Sequence, residues 1–247
     1  MATRDNAPRF GALVARAASH VVAPVGGILP RGALSELRFE LAALRARVTS
    51  VAHRPDLGAP PYRLEIGSSQ RRWEGFIGVD MQRGSQVVAD VRWRIPLPDG
   101  SCEGIFCEHV LEHLRFREEV PRMLGECLRL LAPGSPMRIS VPDARKYLSA
   151  YLEGDTGKLA SLHPWGNSAM TTVNWVFHGY GHKFGWDAET LVEAMREAGF
   201  EKVEERSYGD SAFPWLALDR PEREVESLYV EGCAPWHTRV RATGDRT

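Results

Sequence analysis

The chain has 247 residues, 43% of them hydrophobic, which is enough for one full-sized core with material left over for an extension or a lid. Its 31 basic and 32 acidic side chains leave a formal net charge of −1, which argues against the positive field that gathers nucleic acid or an anionic membrane. Four cysteines, Cys102, Cys107, Cys127 and Cys233, stand at irregular spacings without a CxxC pair; this disfavours a zinc knuckle or a disulfide framework and points to a reducing cytoplasm.

The opening MATRDNAPRF lacks a charged-then-apolar leader layout, and the apolar stretch from Phe10 to Leu29 is broken by Arg16, His20, Pro24 and three glycines. No membrane span is expected. Residues 1–60 form a separate N-terminal extension in this reading, with loose Gly/Pro patches around one helix. Leu34, Leu37, Leu41, Leu44 and Val48 recur at steps of three and four, and Ser35 is placed to cap the start. Packing of this stripe on the domain is favoured, because two heptads are short for a coiled coil; a homodimer seam through the helix is the alternative.

From Tyr62 onward, short apolar runs alternate with helical patterns, the layout of a parallel sheet covered by helices. Strands are predicted at 62–67, 75–81, 87–91, 102–110, 136–143 and 202–208, and helices at 117–131, 144–153 and 187–199. The domain is expected to cover residues 61–235, with a lid at about 160–186 and a flexible tail at 236–247. In open α/β sheets, ligands lie outside the carboxyl ends of the strands, so those ends carry the search.

The first end reads Leu64-Glu65-Ile66-Gly67-Ser68-Ser69-Gln70, a strand entering a small-residue turn where glycine lets a ligand approach the backbone. It lacks the GxGxxG spacing and no GKS or GKT follows, so a dinucleotide or P-loop site is poorly supported. The second end, Ile77-Gly78-Val79-Asp80, offers a carboxylate able to accept from both hydroxyls of a ribose. At the third, Asp90 could accept from an exocyclic amine such as that of adenine, or serve as a loop residue.

With these motifs in order, residues 62–143 resemble the core of a class I SAM-dependent methyltransferase of the type-11 kind. LEIGSS resembles its first motif. LPDGSCEGIFCEHVLEHL is similar to its fourth-strand motif, and LRLLAPGSPMRISVPD to its helix, Pro-Gly turn and fifth strand. The resemblance departs at Ser69, where a second glycine is common, and at Ser135. It implies a Rossmann-like α/β fold, a largely parallel sheet flanked by helices, with an N-terminal helical extension and an inserted lid. It also implies S-adenosylmethionine (SAM) as cofactor and S-adenosylhomocysteine as product. Cofactor contacts are then expected from Glu65, Gly67, Ser68, Ser69, Asp80, Met81, Asp90, Val91, Glu108 and His109. The nearest likeness is to small bacterial methyltransferases associated with glycan biosynthesis, which implies a small-molecule or glycan-type acceptor methylated at a hydroxyl; an inactive methyltransferase-like binding domain is the alternative.

Methyl transfer needs an acceptor lone pair aligned behind the sulfonium methyl, and a base when an alcohol must lose its proton. His109, His113, His178 and His182 are the candidates, with His109 favoured. His178 and His182 share a metal-like spacing, but HGYGH has no intervening Glu and no clear third ligand, so no metal is expected. Trp165, Trp175, Tyr180 and Trp186, with Asn167 and Asn174, suit a lid over a polar ring, or else a satellite core under a long loop. The charges from Asp219 to Glu226 are assigned a structural role.

Overall fold

The computed structural model describes residues 30–52, 55–69, 73–163 and 167–236. The sheet has seven strands: β1 (Tyr62–Ile66), β2 (Ile77–Asp80), β3 (Val87–Val88), β4 (Cys102–Glu108), β5 (Pro136–Pro142), β6 (Glu201–Arg206) and β7 (Ser227–Cys233). Their order is β3-β2-β1-β4-β5-β7-β6. β1 to β5 pair in parallel, whereas β7 runs antiparallel to both β5 and β6. This is the Rossmann-like architecture expected from the alternating pattern. The sequence reading missed β7, because its Glu231 and Gly232 interrupt the apolar run and its charged approach reads as surface.

Helices flank the sheet: α1 (Arg31–Ala52), α2 (Val120–Leu130), α3 (Ala144–Leu152), α4 (Thr156–Leu162), α5 (Ala169–His178) and α6 (Ala188–Ala198). In α2, Val120, Met123, Leu124, Cys127 and Leu130 are buried, a stripe at steps of one, three and four that packs on the core. α6 starts where the Asp187 carboxylate accepts from Thr190 N and ends at Gly199 with φ 109°, both ordinary stop and start chemistry. None of the described helices is long and apolar enough to cross a membrane.

Two expectations change in physical detail. Ser35 does not cap α1, which already begins at Arg31. The helix buries Ala43, Ala46 and Ser50 while Leu44 stays exposed, so small residues, which allow close approach, make its seat and the leucines flank it. Polar clamps complete the seat. Arg92 pairs with Asp90 at 3.0 Å, with Glu40 of α1 at 2.8 Å and with Glu119 at 2.7 Å, while Arg47 of α1 reaches Asp90 at 2.8 Å. The segment read as a lid at about 160–186 contains the end of α4 and all of α5. With α3 they form a small core of their own, including Tyr147, Leu159, Leu162, Val173 and Val176. α5 reads poorly as a helix because Thr171, Thr172, Val173, Asn174 and Trp175 have weak helix propensity, and packing overrides it. Of the tail expected at 236–247, all beyond Trp236 lies outside the described residues.

Cys102, Cys107 and Cys127 are buried, Cys233 is half-buried, and all four are free thiols. Burial pushes the Cys102 thiol up to about 11 and the Cys107 thiol well above its ordinary range, which leaves little reactive thiolate near neutral pH. A disulfide reagent at neutral pH should therefore label Cys233 at most in the folded chain, and all four cysteines after denaturation. Rapid native labelling of three thiols would contradict this packing.

Candidate active site

The strand order reverses between β1 and β4, and the carboxyl ends of strands at such a point are where ligands bind in open α/β folds. Gly67 turns out of β1 with φ 78°, and a Cβ built on it would lie 2.3 Å from Val110 Cγ2. Glycine is thus required by a close approach between the exits of β1 and β4 as well as by the turn. Glu65 and Ser68 are buried in the same wall.

Asp80, the last residue of β2, ties two loops to this wall. Its Oδ2 accepts from Ser69 N at 2.9 Å and its Oδ1 from Gln82 N at 2.9 Å. Each oxygen keeps a further acceptor position, so the carboxylate can still take a pair of vicinal hydroxyls. Met81 supplies its carbonyl to Arg45 Nη2 of α1 at 2.9 Å, and Val91 packs half-buried on the main core.

Asp90, expected near the adenine, already has protein partners. It is buried in the clamp under α1, where Oδ1 accepts from Arg92 N and Nε, both at 3.0 Å, and Oδ2 from Arg47 Nε at 2.8 Å and Arg92 Nη2 at 3.1 Å. Burial alone would raise its pKa, but the hydrogen bonds and charge of Arg92, joined by Arg47, hold it below the usual aspartate value. Four donors saturate this carboxylate. The reason is tertiary: the N-terminal helix brings Arg47 over the end of the segment after β3.

Beyond β4 the sequence candidates converge. Glu108 forms an ion pair with Arg220 at 2.6 Å. His109 has φ 53°, donates its backbone N–H to Ser140 O at 2.9 Å, and sets Nε2 2.8 Å from Ser227 Oγ. Its Nδ1 faces Glu112 Oε1 at 3.4 Å. Burial, reinforced by the positive Arg223 and Arg220, brings its pKa well below the ordinary histidine value, so the imidazole is neutral near pH 7. His113 and His182 meet edge to face with centroids 5.0 Å apart. Burial and then the neighbouring His182 bring His113 down to about 4. His178 does not share this arrangement; it is exposed at the end of α5.

The residue that sequence reading passed over is Glu112, which lies at the centre of the group. Its side chain is 2% exposed, and burial lifts its pKa to about 8. The signal was present in HVLEH, since a carboxylate three positions after His109 shares a face with it on a helical turn. Ser227 was also missed, because β7 brings it to His109 from 118 positions away. The aromatics divide: Trp186 is fully buried in the main core, Trp175 stacks on His163 with centroids 4.2 Å apart, and Tyr180 is 71% exposed. Trp165 lies outside the described residues. Asn174 Nδ2 donates to Met170 O within its own helix at 3.0 Å, and Asn167 is exposed.

Residues 67–139 match a family model described as a methyltransferase domain. No curated protein matches the chain. Among solved structures, it is similar to a SAM-dependent methyltransferase of Thermotoga maritima (17% identity, TM-score 0.45, covering 72% of this chain and 84% of that one). It is also similar to an S-adenosylmethionine-dependent methyltransferase of Mesorhizobium loti (17% identity, TM-score 0.43, 73% and 93%). Phosphoethanolamine N-methyltransferase 2 of Haemonchus contortus, solved with S-adenosyl-L-methionine, is 11% identical with TM-score 0.45, and the match covers 73% of this chain and half of that one.

Proposed function

We propose that this chain, carrying a methyltransferase domain match at residues 67–139, is an enzyme that transfers the methyl group of S-adenosylmethionine to a hydroxyl of a small polar acceptor of the sugar or glycan type. The observation that supports the reading is the gathering of Gly67, Asp80 and the histidine–glutamate group after β4 at the carboxyl ends of β1, β2 and β4, where the strand order reverses. Asp80 takes the ribose hydroxyls, and Glu65, Gly67, Ser68 and Ser69 form the wall along the cofactor. Met81, Val91 and Glu108 support that wall. Asp90 works indirectly in this reading, by seating α1.

The reaction needs the acceptor oxygen in line behind the methyl carbon. A C–O bond forms as the C–S bond breaks, S-adenosylhomocysteine leaves, and the hydroxyl proton passes to His109. Glu112 faces Nδ1 of that histidine at 3.4 Å and orients the ring, as a carboxyl group does beside a catalytic imidazole. His113 and His182 stand on the acceptor side. Tyr180 supports a sugar-like acceptor, because it is exposed beside His182, with ring centroids 6.4 Å apart, and offers a face for stacking.

Calorimetric titration with SAM and S-adenosylhomocysteine, alongside NADH, tests the reading. Saturable binding of the two methyl-cycle ligands, with no binding of NADH, is expected, followed by transfer of labelled methyl to hydroxylated sugars. Well-folded protein that binds neither would favour a non-catalytic methyltransferase-like domain, and methylation of amines in preference to hydroxyls would overturn the acceptor class.

A further inference from the structure

We propose that Glu112, His113 and His182 hold one divalent transition-metal ion of the zinc class beyond the carboxyl end of β4, with a coordination position left open for the acceptor's hydroxyl oxygen. This deepens the methyl-transfer reading and rests on it for the acceptor, though not for the metal.

The donor atoms of these three residues all lie within 4.8 Å of one another. Two imidazole nitrogens and a carboxylate suit zinc and its first-row neighbours, whereas magnesium and calcium prefer oxygen-only sets. Zinc bonds of about 2.0–2.2 Å place tetrahedral ligands about 3.3 Å apart, so contraction of at most about 1.5 Å closes the shell by side-chain rotation. Three protein ligands leave the fourth position to water or substrate, the pattern of catalytic rather than structural zinc.

The histidines are oriented for the task. His182 donates Nδ1–H to Val176 O at 2.8 Å, which leaves the Nε2 lone pair free for a metal. His113 hydrogen-bonds the backbone of Gly181 and turns Nε2 toward Glu112 Oε1, 3.9 Å away. Ligating histidines are commonly fixed in this way, one ring nitrogen on a carbonyl and the other on the ion. The two segments are also stapled together, because the Glu112 carbonyl accepts from Lys183 N at 2.7 Å and Phe184 N at 3.3 Å.

Charge balance points to a cation. Glu108 is paired with Arg220, Glu226 with Arg223, and Lys183 turns its ammonium to Glu36. Glu112 has no lysine or arginine in ion-pair contact: its carboxylate is buried, and the side chains facing it are the imidazoles of His109 at 3.4 Å and His113 at 3.9 Å. A buried carboxylate in that condition is costly unless a cation or a proton satisfies it. His113 keeps about a third of its side chain exposed, which gives the ion an entry path. An acceptor hydroxyl bound to the ion would lose its proton to His109 more readily, and its oxygen would then form the C–O bond as the C–S bond breaks.

The full chain, stripped with chelator, is titrated with cobalt(II) by absorption spectroscopy and with zinc by calorimetry, in parallel with SAM. One ion per chain is expected, with the d–d bands of a low-coordinate cobalt site. Glu112→Gln and His182→Ala should each weaken metal binding tenfold or more while SAM affinity and the melting profile hold; Glu112→Gln relieves a buried charge, so it is the variant least prone to misfold. Absence of saturable binding in protein that binds SAM overturns the metal site and leaves the methyl-transfer reading intact. Binding unchanged in both variants, or loss of SAM rather than metal in Glu112→Gln, overturns it too, the latter by assigning Glu112 to the sulfonium. Metal binding without SAM binding keeps the site and overturns the function.

Discussion

Arg138→Ala is expected to lower the melting midpoint by on the order of 10 °C. Arg138 is fully buried in the middle of β5 and uses every guanidinium donor. Nε donates to Asp219 Oδ1 at 2.8 Å and Nη2 to Asp219 Oδ2; Nη1 donates to Glu231 Oε1 at 2.8 Å and to Asp210 O at 2.9 Å; Nη2 also reaches Ser207 O at 3.1 Å. One side chain thus joins β5, β7 and the segment between β6 and β7. Truncation leaves the Asp219 and Glu231 carboxylates buried without their cation, and breaking such a pair costs about 3–5 kcal/mol. For a chain of this size each kcal/mol is worth roughly 2–4 °C. Arg138→Lys should rescue little, because an ammonium cannot reproduce the fork. Thermal unfolding of both variants checks this, and a loss below about 2 °C would mean that the network is dispensable.

Asp80→Ala is expected to weaken SAM binding by on the order of 100-fold or more, with a much smaller effect on the melting midpoint. Two charge-assisted hydrogen bonds to ribose, at about 1.5–3 kcal/mol each, set that scale. The same substitution frees Ser69 N and Gln82 N, so the loop after β1 loses its anchor along with the ribose partner. Asp80→Asn keeps one carbonyl acceptor and should fall between the two. Calorimetry on folded variants decides the matter: unchanged affinity in Asp80→Ala would remove this residue from the cofactor site and move the ribose elsewhere along the strand ends.

Much of the sheet was legible along the chain. β1, β2, β4 and β5 are short apolar runs that end in Gly, Asp, Glu-His or Pro-Asp, and buried parallel strands have no other way to be written. β3 shrank to Val87–Val88 because Asp90 leaves the sheet for Arg92 and Arg47. β7 and α5 were not legible: the first carries a buried Glu231 whose partner, Arg138, is 93 positions away, and the second is built from residues that prefer strands and turns.

The functional group shows the same division. His109, His113 and His182 could be named one by one, since histidine chemistry is local. That His182 faces Glu112 and His113, rather than its sequence neighbour His178, follows from the turn after α5 folding back on the one-turn helix after β4.

Local chemistry along the chain determined that there would be a Rossmann-like sheet, where its strands would end, and which glycine and carboxylate would stand at those ends, because periodicity and turn chemistry act over a few residues. Only the tertiary structure decided which charges meet. Asp90 became the seat of a helix, Arg138 a buried rivet and Glu112 a buried carboxyl group among His109, His113 and His182, because burial and pairing depend on segments that are far apart in the chain and adjacent only once it has folded.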